Sequence, residues 1–205
     1  MLPNKKWTPE QRQKWSTLDI NEDTAANQVL INKRSQFQQA NHQQNARMKS
    51  WITEKLALED KEKKIIELFS GAGNFTGIIA NLGFLGVEAI EGSREAVDQL
   101  RQKQLKNVIA SAFDIFNSKK WKMISTLADA EILVLDPPRE GFDQLKLFLN
   151  SAKKIKKIVY ISCNLDTFCR DLKSIQQEGW SVVEIQPVDI FPQTPHVEMM
   201  SILEK

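Results

Sequence analysis

From residue 64 onward the chain repeats one texture, a short apolar run rich in β-branched residues followed by an amphipathic stretch. The runs are Lys64–Phe69, Gly86–Ile90, Asn107–Ala110, Glu131–Leu135, Ile158–Ser162, Trp180–Ile185 and Val197–Leu203. A strand that is apolar along its whole length is one buried on both faces, and helices between such strands supply the cover. The pattern therefore predicts an α/β fold with a doubly wound, mostly parallel sheet of seven strands. Between the last two runs lies only QPVDIFPQTPH. Its prolines disfavour a helix, so these two strands are expected to pair antiparallel and end the sheet.

The helices leave their own marks. Ser93 is placed to cap a helix over Ser93–Leu105, with Ala96, Val97, Leu100 and Leu105 as its apolar stripe. Upstream, residues 1–64 are polar and carry 12 Lys/Arg against 8 Asp/Glu. Residues 22–47 read partly as a loop, and a helix follows in which Met48, Trp51, Ile52 and Leu56 share one face. The chain divides accordingly into a polar segment over 1–35 and a folded domain over 36–205.

Composition then narrows the class. A hydrophobic content of 41% in 205 residues supports one core, and a net charge of +2 argues against a polybasic nucleic-acid binder. Two cysteines and two histidines cannot supply a four-cysteine zinc site or iron–sulfur cluster, nor a disulfide scaffold. No metal is expected. No apolar run approaches the roughly 18 residues that span a bilayer, and the first residues lack the apolar core of a signal peptide. The expectation is a cytoplasmic protein with no membrane contact.

The first strand runs into Glu67-Leu68-Phe69-Ser70-Gly71-Ala72-Gly73-Asn74-Phe75-Thr76. A G-x-G turn between a strand and its helix lets backbone pass close to a bound nucleoside at the carboxyl end of a parallel sheet. Glu91 ends the second strand, where it can take ribose hydroxyls, and Asp114 follows the third, where it can face an adenine. Position 76 is Thr, so the third glycine of a dinucleotide fingerprint is missing. S-adenosylmethionine suits this set better than a nicotinamide dinucleotide. A turn needing glycine only for its φ angles remains the alternative for the G-x-G alone.

Three further strand tips hold reactive side chains. The fourth ends in Leu135-Asp136-Pro137-Pro138-Arg139-Glu140-Gly141, where the prolines stiffen the loop and Asp136 points to the cleft. The fifth ends in YISCNLDTFCRDL, with Cys163 at a helix start, a place that favours the thiolate. Cys169 shares a helical face with Leu165, Phe168, Leu172 and Ile175 and reads as core. The last strand opens with TPHVE, and Glu198 there can face either the cleft or solvent.

ELFSGAGNFT, LDPPREG, YISCNLDTFCRDL and TPHVE, in this order and at this spacing, resemble the RNA 5-methyluridine (uracil-C5) methyltransferase family. FQQAN at residues 37–41 resembles the F-x-Q-x-N segment that opens its catalytic domain, so the likeness covers roughly residues 36–205. It implies a Rossmann-like class I S-adenosylmethionine-dependent fold and methylation of uracil C5 in tRNA or rRNA. It also implies Cys163 as nucleophile at C6 and Glu198 as base. Gln39, Phe69, Gly71, Gly73, Asn74, Glu91, Asp114 and Asp136 would line the cofactor site, and Asp136 and Arg139 would reach the target base. Arg139 stands where exocyclic-amine methyltransferases typically have an aromatic, and the strand-four motif lacks the second cysteine typical of cytosine-C5 RNA enzymes. Ser70 and Leu165 replace the family's common Cys and Pro. Family members usually add an oligonucleotide-binding barrel and an RNA-gripping domain, and the 36 residues before Phe37 are too few for either. The alternatives are a cofactor-binding homologue or fragment that does not grip RNA, and a methyltransferase for another substrate.

Overall fold

The computed structural model describes residues 42–189 and 197–205. Gln39, the FQQAN segment and His196 lie outside the described residues. In chain order the elements are α1 (His42–Ala57), β1 (Lys64–Leu68), α2 (Thr76–Asn81), β2 (Gly86–Glu91), α3 (Arg94–Gln102), β3 (Val108–Ala112), a 3₁₀ turn (Ser118–Met123), β4 (Ile132–Leu135), α4 (Leu145–Ser151), β5 (Lys157–Ser162), α5 (Leu165–Gln176), β6 (Ser181–Val188) and β7 (Glu198–Glu204).

The seven strands form one sheet in the order β3-β2-β1-β4-β5-β7-β6. β1 to β5 pair in parallel, and β7 runs antiparallel to both β5 and β6. The expected doubly wound sheet with an antiparallel end is therefore the observed one. The strand order reverses direction between β1 and β4, which is where such sheets open a crevice at their carboxyl ends.

Side chains alternate across the strands and build two cores. On one face Ile66, Leu68, Leu133, Leu135, Ile158 and Tyr160 meet Trp121, Phe142, Phe148 and Phe168. On the other Ile65, Ile132, Val134, Val159 and Ile161 meet Met48, Trp51, Ile52 and Leu56 of α1 and Phe75, Ile79 and Phe84. The apolar stripe of α1 is the expected one, but the helix begins at His42, inside the stretch read as loop. α3 is shorter than expected and ends before Leu105, while Ser93 accepts from the Ala96 amide as anticipated. β6 is longer, because its edge position lets Val183 and Ile185 stand exposed along a strand that still pairs with β7.

One buried carboxylate has a purely structural use. Glu88 on β2 accepts from the Ser125 amide and hydroxyl at 3.0 and 2.8 Å, and from the Thr126 amide and hydroxyl at 2.8 and 3.0 Å. Glu88→Ala leaves those donors without an acceptor. It is expected to lower stability by about 3 kcal/mol, read as a lower urea midpoint at unchanged slope.

Candidate active site

The alternation that builds the cores also decides where the strand ends point. Ile65 on β1, Val87 on β2, Ile132 and Val134 on β4, Val159 and Ile161 on β5, and Met200 and Ile202 on β7 all face the α1 side. Steps of two from these residues lead to Glu67, Glu91, Asp136, Cys163 and Glu198. Five strands thus send their reactive residues to the same face at the same end of the sheet. β7 joins because it runs backwards. Ser162 pairs with Met199, so the next residues outward on the two strands are Cys163 and Glu198.

The charges of this cluster act on one another. Burial pushes Glu198 up to about 7, with Arg139 opposing. Burial, then the neighbouring Glu198 and Glu67, push Asp136 up to about 8. Burial pushes Glu67 up to about 7 against Thr76 and Lys103, and its side chain is only 2% exposed. The Cys163 thiol is also raised, first by burial and then by Glu198 and Asp136, with its own backbone amide and Arg139 opposing. This corrects the expectation from the helix start. The N-terminus of α5 does favour a thiolate, but two carboxylates and partial burial outweigh it, so Cys163 rests as the thiol.

Three carboxyls raised this far make a prediction about pH. Each binds a proton in the folded chain at pH values where the unfolded chain has released it, so their contribution to stability is present near pH 4 and is lost as pH rises through about 7 to 8. The melting temperature of the ligand-free protein is therefore expected to fall between about pH 5.5 and pH 8.5. Glu67→Gln should flatten that slope and melt higher than the parent at the alkaline end. A melting curve that rises over the same range would contradict the burial of these groups.

The glycine turn lies beside the cluster. Phe69 has φ 61°, Gly71 54° and Gly73 81°. Three left-handed residues in five form a strained turn, and for Phe69 that strain is unusual. A Cβ on Gly73 would meet Leu100 Cδ1 at 2.5 Å, so glycine there also admits α3. Glu91 is held in place by the Gly71 and Ser93 amides, both at 2.9 Å. Asn74 exchanges two hydrogen bonds with Asn45 of α1, at 3.0 and 3.1 Å. Asp114 is exposed and accepts from the Phe116 amide at 3.0 Å. The Phe69 ring packs against Phe116 and Phe142 at 5.7 and 5.5 Å between centroids.

Whether this turn fits a charged nucleoside ligand is answered by its unmet polar atoms. Within the described residues, Ser70 Oγ is buried without a hydrogen-bond partner, and the buried Glu67 carboxyl faces Thr76 with no charged side chain paired to it. Buried oxygens so thinly satisfied beside the strained Phe69 backbone are costly unless a ligand meets them. An acidic group at their centre selects a ligand bearing positive charge, and the ammonium and sulfonium of S-adenosylmethionine meet that requirement. Among the described residues, no group of three or more His, Cys, Asp or Glu is placed to hold a metal ion. None of their helices is long and apolar enough to cross a membrane.

Several residues stand elsewhere than the sequence suggested, or were not singled out by it. Cys169 is exposed, not core. The buried face of α5 is Phe168, Asp171, Leu172 and Ile175, so it carries the carboxylate of Asp171 and leaves the Cys169 thiol outside. Lys157, in the lysine-rich run over 153–157, is spent on ion pairs with Glu59 and Glu204. Asn45 and Glu67 had no assigned role. Glu67 does leave a signal, as a charge inside the otherwise apolar run KIIEL. A depression lined by Lys146, Asn150, Lys153, Glu178, Trp180 and Lys205 lies at the opposite end of the strands, and no candidate residue borders it.

The chain is similar in sequence and fold to known proteins. The family model described as tRNA (uracil-5-)-methyltransferase matches residues 11–205. An uncharacterized RNA methyltransferase of Nitrosomonas europaea is 38% identical over all of this chain, which spans 52% of that protein. The 23S rRNA (uracil(1939)-C(5))-methyltransferase of Shewanella denitrificans is 33% identical over 82% of this chain and 37% of its own length. Among solved structures, the Pyrococcus abyssi tRNA (uracil-54, C5)-methyltransferase in complex with S-adenosyl-L-homocysteine superposes with a TM-score of 0.68 at 28% identity, over 82% of this chain and 40% of that one. The chain spans about half the length, or less, of these relatives. The model match over nearly the whole chain and the shared fold lead to one assignment: the chain belongs to the tRNA (uracil-5-)-methyltransferase family.

Proposed function

We propose that residues 36–205 form a catalytic domain that methylates C5 of uracil in tRNA or rRNA, with S-adenosylmethionine as methyl donor. The observation that carries this reading is the convergence of Cys163, Asp136, Arg139 and Glu198 at the carboxyl ends of β4 and β5 and the amino end of antiparallel β7, beside a turn with an unmet buried hydroxyl at Ser70. Gly71, Gly73, Glu91, Asp114, Asn74, Phe69 and Gln39 would hold the nucleoside and amino-acid parts of the donor, with Glu67, Ser70 and Thr76 beneath them. When bound, that donor supplies a methyl group made electrophilic by its sulfonium.

The chain's own residues do the rest. Uracil C5 is a weak nucleophile, and a sulfur adding at C6 turns C5 into an enolate carbon able to accept the methyl group. Cys163 is the sulfur. Burial first, and then Glu198 and Asp136, keep its thiol neutral at rest, so its proton must pass to water at the partly exposed site as the base docks. Arg139 favours that ionised state and faces the same pocket. Once C5 carries both methyl and hydrogen, Glu198 takes the C5 proton, and loss of Cys163 from C6 restores the ring. A carboxyl raised to about 7 is well matched to a proton transfer near neutral pH. The target nucleotide must leave its stack first, because a sulfur cannot reach C6 within a paired stem.

The test is methyl transfer itself. Total tRNA and rRNA from cells lacking the gene are incubated with the protein and methyl-labelled donor, then digested to nucleosides. Label in 5-methyluridine is the expected result. Label in a methylated adenosine, guanosine or cytidine would overturn the substrate assignment.

A further inference from the structure

The loop over Asp136–Gly141 brings Arg139 to the site and closes on itself through the Gly141 amide, which donates to the Pro138 carbonyl at 2.8 Å, yet Arg139 itself is exposed. The restraint comes from α5. The Thr167 hydroxyl is shared between the Arg139 carbonyl at 3.0 Å, the shorter contact, and the Asn164 carbonyl at 3.2 Å, and Arg170 Nη2 donates to the Glu140 carbonyl at 2.7 Å. Asp171 Oδ2 accepts from the Phe142 amide at 2.6 Å. Three residues at helical spacing i, i+3 and i+4 thus hold the backbone on either side of position 141. That position has φ +71°, and a Cβ there would lie 2.6 Å from Asp171 Oδ2, 2.8 Å from Arg170 Nη2 and 2.9 Å from Thr167 Cβ. Only glycine lets the loop approach the helix this closely.

The carboxylate at the centre is expensive. Asp171 is 1% exposed. Its Oδ1 accepts from Arg170 Nε and Nη2 at 2.9 and 2.7 Å, and its Oδ2 also accepts from the Tyr160 hydroxyl at 2.6 Å. Packing alone would be served as well by a leucine, without the cost of burying charge. What the network adds is a fixed relation between three pieces of chain: β5, where Tyr160 stands three residues before Cys163; α5, which starts just beyond Cys163; and the Arg139 loop.

The geometry points to Thr167, Arg170 and Asp171 as positioning residues, which set through the backbone of residues 139–142 where the Arg139 guanidinium stands relative to Cys163 and Glu198. Its relevance to methyl transfer rests on the proposed function, but the clamp can be tested without RNA. The charged groups facing Cys163 are Glu198 from β7 and Asp136 and Arg139 from the loop after β4. Displacing Arg139 leaves only the Cys163 backbone amide against burial and the two carboxylates, so thiolate formation moves to higher pH.

Iodoacetamide alkylation of the full chain, followed by mass spectrometry from pH 6.5 to 10.5, reads that midpoint. A Cys169→Ser background removes the exposed second thiol. Arg139→Ala is expected to raise the midpoint and slow alkylation at pH 8. Thr167→Val should shift it in the same direction, and Thr167→Ser, which keeps the hydroxyl, should match the parent. Thr167→Val added to Arg139→Ala should produce no further shift, because the first acts through the second. Asp171→Asn should behave as Thr167→Val does if it melts cooperatively, and the Thr167 and Arg139 variants decide the matter if it does not fold. A parental midpoint in a cooperatively melting Thr167→Val, or full additivity in the double variant, overturns the clamp. Absence of RNA methylation by the parent with this alkylation pattern intact would refute the proposed reaction and leave the clamp standing.

Discussion

Cys163→Ala is expected to abolish methyl transfer to RNA, a loss on the order of a thousandfold or more, while S-adenosylmethionine binds with unchanged affinity. The separation is the point. Cys163 follows β5, and its surroundings are the ends of β4 and β7, with Asp136, Glu198 and Arg139. The buried oxygens of the proposed donor site belong to β1, the turn after it and the start of α2, at Glu67, Ser70 and Thr76. Removing one sulfur atom at a half-exposed strand tip leaves no buried donor unpaired and opens no core cavity, so folding should be untouched. Calorimetry with the donor and a labelled-methyl assay on the same preparation check both halves. Normal turnover in Cys163→Ala would end the adduct mechanism.

Glu198→Gln should have the second largest effect and a different signature. Adduct formation and methyl transfer precede removal of the C5 proton, so a chain without the base should stall after both. The result is a protein–RNA band that survives denaturing electrophoresis, with turnover reduced by about 10²- to 10⁴-fold. Glutamine keeps the shape and the place of Glu198 at the start of β7. It also removes one of the two carboxylates that hold the Cys163 thiol up, so alkylation of Cys163 should shift to lower pH. A variant with normal turnover and no band would assign the base elsewhere, with Asp136 the next carboxyl in reach.

The architecture was legible because burial on both faces writes itself into continuous apolar runs. Every strand begins or ends within three residues of the run that announced it, and α1 presents Met48, Trp51, Ile52 and Leu56 to the core as their spacing required. The cluster of reactive residues was legible through the likeness of its motifs to a family, and strand parity explains why those motifs meet. What the pattern hid was charge in buried places. Asp171 sits on the core face of α5 and Cys169 on the exposed side, because a tyrosine of β5 and a backbone amide of the Phe142 loop meet the carboxylate there, with the adjacent Arg170 beside them. No linear pattern lists those partners. Glu88 is hidden for the same reason, its four donors lying 37 and 38 residues away. The thiol of Cys163 was misjudged because a helix start is visible in sequence, whereas the two carboxylates that oppose it arrive from other strands.

One measurement bears on the central claim most directly. A uracil with fluorine at C5 has no proton for Glu198 to remove, so the reaction should halt as a covalent adduct in the native protein. The full chain is incubated with 5-fluorouridine-substituted tRNA and rRNA and S-adenosylmethionine, digested with protease and nuclease, and mapped by mass spectrometry. The account predicts a peptide containing Cys163 joined to a methylated fluorouridine. A chain that binds the donor and RNA yet yields no adduct, or one joined through Cys169, would contradict it.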